Sequence, residues 1–166
     1  GCGRYGCVET YVSASGIRRT VFELLSKRLG KSELRRVAYD DLTAERIFTL
    51  AQQGDAIALE AFAITGKRLG KLIANTVAAY EPEAVILFGG LSNAGKILME
   101  PMLKSYEESV LGIFKGKVKI RISGLNNGRA AVLGASSLFG DDTDEIYTGT
   151  GPHEPVSIND SSLISS

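Results

Sequence analysis

The sequence predicts an α/β domain in which helices pack on a small sheet. Helical patterns occupy much of residues 17–80, and two strand-like runs, 84–88 and 117–123, then flank a further helical pattern. Strand, helix and strand in that order indicate a βαβ-like unit. The chain has 166 residues, of which 44% are hydrophobic and 23% charged, so it is long enough for one globular core of ordinary size.

The first helical patterns are short. Residues 17–29 are predicted to form an amphipathic helix that Gly30 stops, and 31–41 a charged, irregular surface linker. A second helix is predicted over 44–53, with Thr43 as its N-cap. The apolar positions of the first helix are Ile17, Val21, Leu24, Leu25 and Leu29.

A long helix over 56–80 is expected next, with Asp55 as its N-cap. Gly66 and Gly70 lie one turn apart in it, and because glycine weakens a helix they predict the close approach of another element. The charges of Lys67, Arg68 and Lys71 exclude a membrane span. The predicted apolar stripe comprises Leu59, Phe62, Leu69, Ile73 and Val77.

The run 84–88 is continuously apolar, which predicts a strand buried on both faces of a sheet. It ends at Gly89 and Gly90, and a strand, two glycines and a helix form a turn where phosphates or a sugar can approach the backbone. The same glycines could serve the turn alone. The following helix contains Pro101 and runs to about Leu111, with Met99, Met102 and Leu103 expected in the core. Residues 117–123 alternate strictly and predict a half-exposed strand.

Both cysteines of the chain, Cys2 and Cys7, lie in a glycine-rich stretch that also contains Glu9. Glycines permit positive φ, so the two thiolates can converge on one point, which suggests a zinc ion. The ordinary alternative is a pair of small buried residues. Two thiolates are too few for tight zinc binding by this chain alone, and the one histidine, His153, lies at the far end.

Charge is unevenly distributed along the chain. Residues 141–166 hold six of the 19 acidic residues and no Lys or Arg, so 1–140 carry 19 basic against 13 acidic residues. This mild, dispersed excess does not form a nucleic-acid-binding stripe, and a free-standing zinc module on nucleic acid is disfavoured. Residues 141–166 are expected to form a disordered acidic tail after a domain over 1–140. Reduced thiolates fit a cytoplasmic setting.

The stretch around Cys2, Cys7 and Glu9 resembles the ROK family signature Cys-x-Cys-Gly-x-x-Gly-Cys-x-Glu. The family comprises repressors, open reading frames and sugar kinases. Cys2 and Cys7 match the second and third cysteines of the signature, and Glu9 matches its glutamate. The first cysteine would fall just before Gly1, so we expect the chain to be the C-terminal part of such a protein. The resemblance in detail is closest to bacterial glucokinases.

This resemblance implies the C-terminal lobe of an actin-like ATPase (ribonuclease H-like) fold. It also implies phosphorylation of a hexose, glucose above all, by ATP with Mg²⁺. Glu9 would open a helix and bind sugar hydroxyls, although a glutamate in a first turn can simply favour the helix dipole. Gly89 and Gly90 match the family's Ile-Leu-x-Gly-Gly stretch beside the nucleotide. The loop and Ala-rich helix over 125–135 resemble a segment near the same nucleotide.

In the family, the catalytic Asp of an Asn-Asp pair and the phosphate-binding Asp-x-Gly-x-Thr lie in the N-terminal half. Neither is found here, since Asn159-Asp160 is a chance dipeptide in the tail, so we expect this chain to be inactive by itself. A sugar-responsive transcriptional repressor is the alternative within the same family. The resemblance further implies a homo-oligomer for the complete protein.

Overall fold

A computed structural model describes residue 3 and residues 6–123 of the chain. These residues form helices and one small parallel sheet, as predicted. Short 3-10 helices, Glu33–Arg36, Gly90–Ala94 and Gly112–Phe114, connect the longer elements. The α-helices and strands are α1 (Glu9–Val12), α2 (Ala14–Lys27), α3 (Ala44–Gln52), α4 (Ala56–Tyr80), β1 (Ala84–Leu87), α5 (Lys96–Ser109) and β2 (Lys119–Ile122).

β1, α5 and β2 form the predicted βαβ unit. The strands are parallel, with Ala84 opposite Lys119 and Leu87 opposite Ile122. Hydrogen bonds continue the pairing at both ends, from Lys119 N–H to the carbonyl of Glu83 and from Ser123 N–H to the carbonyl of Leu87. β2 is half-exposed as predicted, because Ile120 is buried while Lys119 and Arg121 are exposed.

The prediction that 84–88 is buried on both faces is wrong. Val85 and Leu87 pack against the core, whereas Ile86 is 66% and Phe88 51% exposed. In the described part of the chain, α4 and α5 cover one face of the two-stranded sheet, and the other face remains open. An apolar run therefore identified the strand correctly but not the layers that surround it.

The two glycines of α4 meet α5 at very short distance, as predicted. A Cβ atom placed on Gly70 would lie 2.3 Å from the carbonyl oxygen of Met102, and one on Gly66 2.9 Å from that of Leu98. Both distances are far below van der Waals contact, so only glycine permits this spacing between the helix backbones. The hydroxyl of Ser105 adds a 2.8 Å hydrogen bond to the carbonyl of Lys67 on α4.

α4 connects two hydrophobic clusters. Its first half, including Phe62, packs with α2 and α3, and its second half, including Val77, packs with α5 and the sheet. Leu59 is 41% exposed, so its predicted place in the buried stripe is wrong. The buried face of the first half is set by Ala58, Ala61 and Thr65 at helical spacing, and Leu59 lies beside that face. No helix in the described residues is both long and apolar enough to span a bilayer.

The first predicted helix is displaced towards the N-terminus. α2 begins after Ser13, whose hydroxyl accepts a 3.1 Å hydrogen bond from Gly16 N–H, and it ends at Lys27. The Arg35 guanidinium donates to the carbonyl of Leu25 at 3.0 Å near this end and satisfies part of the terminal turn. Leu29 therefore lies beyond the helix and is fully exposed, contrary to the prediction.

Residues 31–41 are more ordered than the predicted linker. They contain the 3-10 helix Glu33–Arg36, and Leu34 and Val37 are buried in the core. The carboxylate of Asp55 fixes this segment to α4. One oxygen accepts from Ile57 and Ala58 N–H at 3.0 Å, and the other accepts from the hydroxyl of Ser32 at 2.8 Å. Asp55 is thus the predicted N-cap and also a link between two segments.

We expect Gly70→Ala to destabilise the chain by about 1 to 3 kcal/mol, since an added methyl group overpacks the α4–α5 contact. In a helix that makes no such contact, replacing glycine with alanine raises the free energy of unfolding by about 1 kcal/mol. Urea unfolding followed by circular dichroism measures the difference. Gly30→Ala is the control, because a Cβ atom there meets nothing within 4 Å. A Gly70→Ala protein as stable as the unchanged chain would contradict the close helix contact.

Candidate functional site

Two glycines of the stretch at the start of the chain have the positive φ that the sequence analysis expects. Gly3 and Gly6 both have φ of +76°, the left-handed region that glycine favours. Cys7 is half-buried, and its carbonyl accepts a 3.0 Å hydrogen bond from Thr10 N–H at the start of α1. Cys2 lies outside the described residues, so the convergence of the two thiolates stays a prediction.

The described residues do not complete the predicted zinc site by themselves. Among them no group of three or more His, Cys, Asp or Glu side chains is placed to hold a metal ion. The Cys7 thiol is a ligand type that zinc accepts, and Cys2 would be a second, but a tetrahedral structural site takes four. Cys7 and Cys2 would supply two of these four ligands, and the zinc site stays a prediction.

Glu9 is the first residue of α1, where the sequence places it. Its side chain is exposed, and Val8 precedes it without a side-chain cap. The backbone N–H groups of Tyr11 and Val12 both donate to the carbonyl of Val8, at 2.8 and 3.0 Å. Glu9 thus lies at the start of a single helical turn, with its carboxylate accessible to a ligand that carries hydroxyl groups.

Gly16 also shapes this region, although sequence analysis did not select it. A Cβ atom on Gly16 would lie 2.6 Å from the carbonyl carbon of Tyr11 and 2.8 Å from the carbonyl oxygen of Thr10. Only glycine allows α2 to begin so close to the backbone of α1. The signal that could have revealed it is its place as the third residue of the helix after the N-cap Ser13, where a glycine otherwise weakens a helix.

Gly89 and Gly90 form the turn after β1. Gly89 has φ +112° and ψ 172°, a conformation open essentially to glycine alone. The Ser92 side chain and backbone both donate to the carbonyl of Gly89, at 2.6 and 3.0 Å. The 3-10 helix Gly90–Ala94 stands between this turn and α5, which begins at Lys96.

The space beside Gly90 is open. A Cβ atom at Gly90 would meet no atom of the described residues within 4 Å, and the same holds at Gly89. Packing does not require glycine at position 90, in contrast to positions 66 and 70. A residue without a side chain beside open space is where a ligand can approach the backbone most closely.

The two predicted binding regions are carried by one scaffold. α1 packs on α2 and α4, whereas the 3-10 helix that begins at Gly90 packs on α5 and α3. The α4–α5 contact is the most extensive between any two elements described. The predicted nucleotide-side segment over 125–135 and the tail over 141–166 lie outside the described residues, and both remain predictions.

Comparisons with known proteins agree with the signature in the sequence. The model of the ROK family matches residues 1–142. A glucokinase of Halalkalibacterium halodurans is 35% identical over 140 residues, which are 82% of this chain and 42% of that protein. The DNA-binding transcriptional dual regulator NagC of Escherichia coli is 29% identical over 137 residues, 82% of this chain and 32% of that protein.

A solved structure extends the agreement to the fold. The crystal structure of a ROK family glucokinase from Streptomyces griseus, in complex with glucose and AMPPNP, superimposes with a TM-score of 0.69 and 26% identity. The match covers 82% of this chain and 45% of that one. The predicted fold class, the C-terminal lobe of an actin-like ATPase fold, is confirmed. The chain spans less than half the length of each of these proteins.

Proposed function

The chain belongs to the ROK family, and from that premise we propose that the complete protein phosphorylates a hexose, glucose above all, with ATP and Mg²⁺. The observation that carries the proposal is the accessible Glu9 at the start of α1, directly after the glycine-turned cysteine stretch. Similarity to a glucokinase at 35% identity supports the same chemistry. The proposal includes a cytoplasmic location and a homo-oligomeric state for the complete protein.

In this proposal Glu9 orients the sugar. A carboxylate accepts two hydrogen bonds at once, and neighbouring hydroxyls of a hexose supply two donors at matching separation. Charge-assisted bonds of this kind fix the ring, so that one hydroxyl faces the phosphate donor. Positioning matters because phosphoryl transfer depends largely on alignment and on neutralising charge, with Mg²⁺ supplying charge at the phosphates.

The nucleotide would lie against Gly89 and Gly90. The open space beside Gly90 leaves the backbone accessible to a phosphate or ribose. The general base and the Asp-x-Gly-x-Thr phosphate motif that the family resemblance implies are not in this sequence. We therefore propose that this chain by itself transfers no phosphate, and that zinc bound through Cys2 and Cys7 requires further ligands.

A sugar-responsive repressor is the second candidate, and the similarity to NagC favours it. Glu9 would then sense the sugar without taking part in phosphorylation. The coding sequence of the complete gene distinguishes the two. The phosphate motif followed by an Asn-Asp pair supports the kinase, whereas a helix-turn-helix with no phosphate motif supports the repressor.

We expect Glu9→Gln in the complete protein to raise the KM for glucose about 10- to 100-fold, because a hydrogen bond to a charged group contributes about 1.5 to 3 kcal/mol. The KM for ATP should stay within about twofold. Steady-state kinetics with each substrate varied in turn measures both.

Glu45→Gln is the matched control, since Glu45 is also an exposed acidic residue in the first turn of a helix, α3. It loses the same favourable interaction with a helix dipole and should leave both KM values unchanged. Equal KM values for glucose in Glu9→Gln and unchanged protein would refute the sugar contact.

Gly90→Ala tests the nucleotide side. The described residues leave room for the methyl group, so we expect unchanged stability and a KM for ATP raised by about tenfold or more, from a clash equivalent to about 1.4 kcal/mol. Gly112→Ala, at another open glycine, is the control. An unaltered KM for ATP would place the nucleotide away from this turn.

A further inference from the structure

The position of Glu9 depends on how α1 is held. α1 has only four residues and no buried side chain. Such a short helix is not stable by itself, because nucleation of a helix costs more than one turn returns. Contacts with other elements must therefore fix the direction in which Glu9 projects.

One of these contacts comes from α4. The guanidinium carbon of Arg68 lies 4.7 Å from the centre of the Tyr11 ring, within the range of a cation–π interaction. Arg68 also donates through Nη1 to the hydroxyl of Thr20 on α2, at 3.5 Å, the outer limit of a hydrogen bond. A single side chain of the scaffold helix therefore contacts both α1 and α2.

The part of α4 that carries Arg68 is itself fixed by its contact with α5. Arg68 lies between Gly66 and Gly70, the two positions at which the backbone of α4 meets that of α5. The base of its side chain is thus carried by the most tightly packed part of α4. On the α2 side, the backbone of Gly16 lies in close contact with the backbone of Tyr11.

Tyr11 and Glu9 lie on opposite sides of α1. Residues two apart on an α-helix are separated by about 200° around its axis. When Arg68 holds the ring of Tyr11 towards α4, the helical geometry directs Glu9 away from α4. The contact fixes the rotation of α1 about its own axis, which the backbone contact at Gly16 alone does not determine.

We infer that Arg68 is a positioning residue that orients Glu9 for the sugar through the ring of Tyr11. The inference rests on the proposed sugar contact of Glu9. Arg68 itself touches Tyr11 and Thr20, and its effect on the sugar passes through α1. Loss of the contact frees the rotation of α1, so sugar affinity falls while the nucleotide side, which follows β1 and does not include α1, keeps its affinity.

The test measures the dissociation constants for glucose and for ATP by calorimetry, together with the melting temperature, in the complete protein. Arg68→Met and Tyr11→Leu should each weaken glucose binding about three- to fivefold, the range of a partly exposed cation–π contact. The double variant should bind glucose about as weakly as either single variant, because both changes remove one interaction. Tyr11→Phe keeps the aromatic ring and should bind glucose as tightly as the unchanged protein does.

Lys67→Met is the matched control, since it removes a charge from the adjacent position of α4, where the side chain is exposed. It should leave both dissociation constants unchanged. Unaltered glucose binding in Arg68→Met and Tyr11→Leu, with Glu9→Gln impaired, would overturn the positioning role and leave the proposed function intact. An equal loss of ATP binding with a lowered melting temperature would also overturn it.

Glucose binding that is absent, or that Glu9→Gln does not weaken, would remove the proposed function and the positioning role together. Reduced glucose affinity in Lys67→Met equal to that in Arg68→Met would show a general effect of charge and refute the contact with Tyr11. The expected pattern is therefore specific to Arg68, to the ring of Tyr11 and to glucose.

Discussion

The close contact between α4 and α5 at Gly66 and Gly70 is the constraint on which the rest of the structure depends. It brings two helix backbones within a distance that no other residue type allows. α5 is the crossover between β1 and β2, so this contact sets where the sheet lies relative to α4. The α4–α5 contact therefore determines the positions of the glycine turn after β1 and of the backbone at Arg68.

Two proposed binding regions on one helical scaffold suit a family that includes both enzymes and regulators. Glu9 lies on α1, in the first half of the described chain, and Gly90 follows β1 in the second half. α4 connects them because it contributes to both hydrophobic clusters. A kinase needs both regions, whereas a sugar-responsive regulator needs the first. The relatives at 35% and 29% identity fall into these two classes.

Local signals in the sequence predicted the parts of the fold that depend on neighbouring residues. Asp55 predicted the start of α4, paired glycines predicted its contact with α5, and the family signature predicted Glu9 at the first turn of α1. Features that depend on distant residues were not predictable in this way. α2 ends where Arg35 supplies hydrogen bonds from a segment that resembled a linker. The exposure of Ile86 depends on which layers cover the sheet, and the contact of Arg68 with Tyr11 joins residues far apart in the sequence.

Hydrogen–deuterium exchange of the complete protein, with and without ligands, tests the central claim most directly. Glucose should slow exchange of the backbone amides over residues 9–16, and a non-hydrolysable ATP analogue should slow exchange over 89–95. These effects should occur separately when each ligand is added alone, because the two regions lie on different elements. Glucose that protects neither α1 nor the start of α2 would contradict the assignment of Glu9 to the sugar.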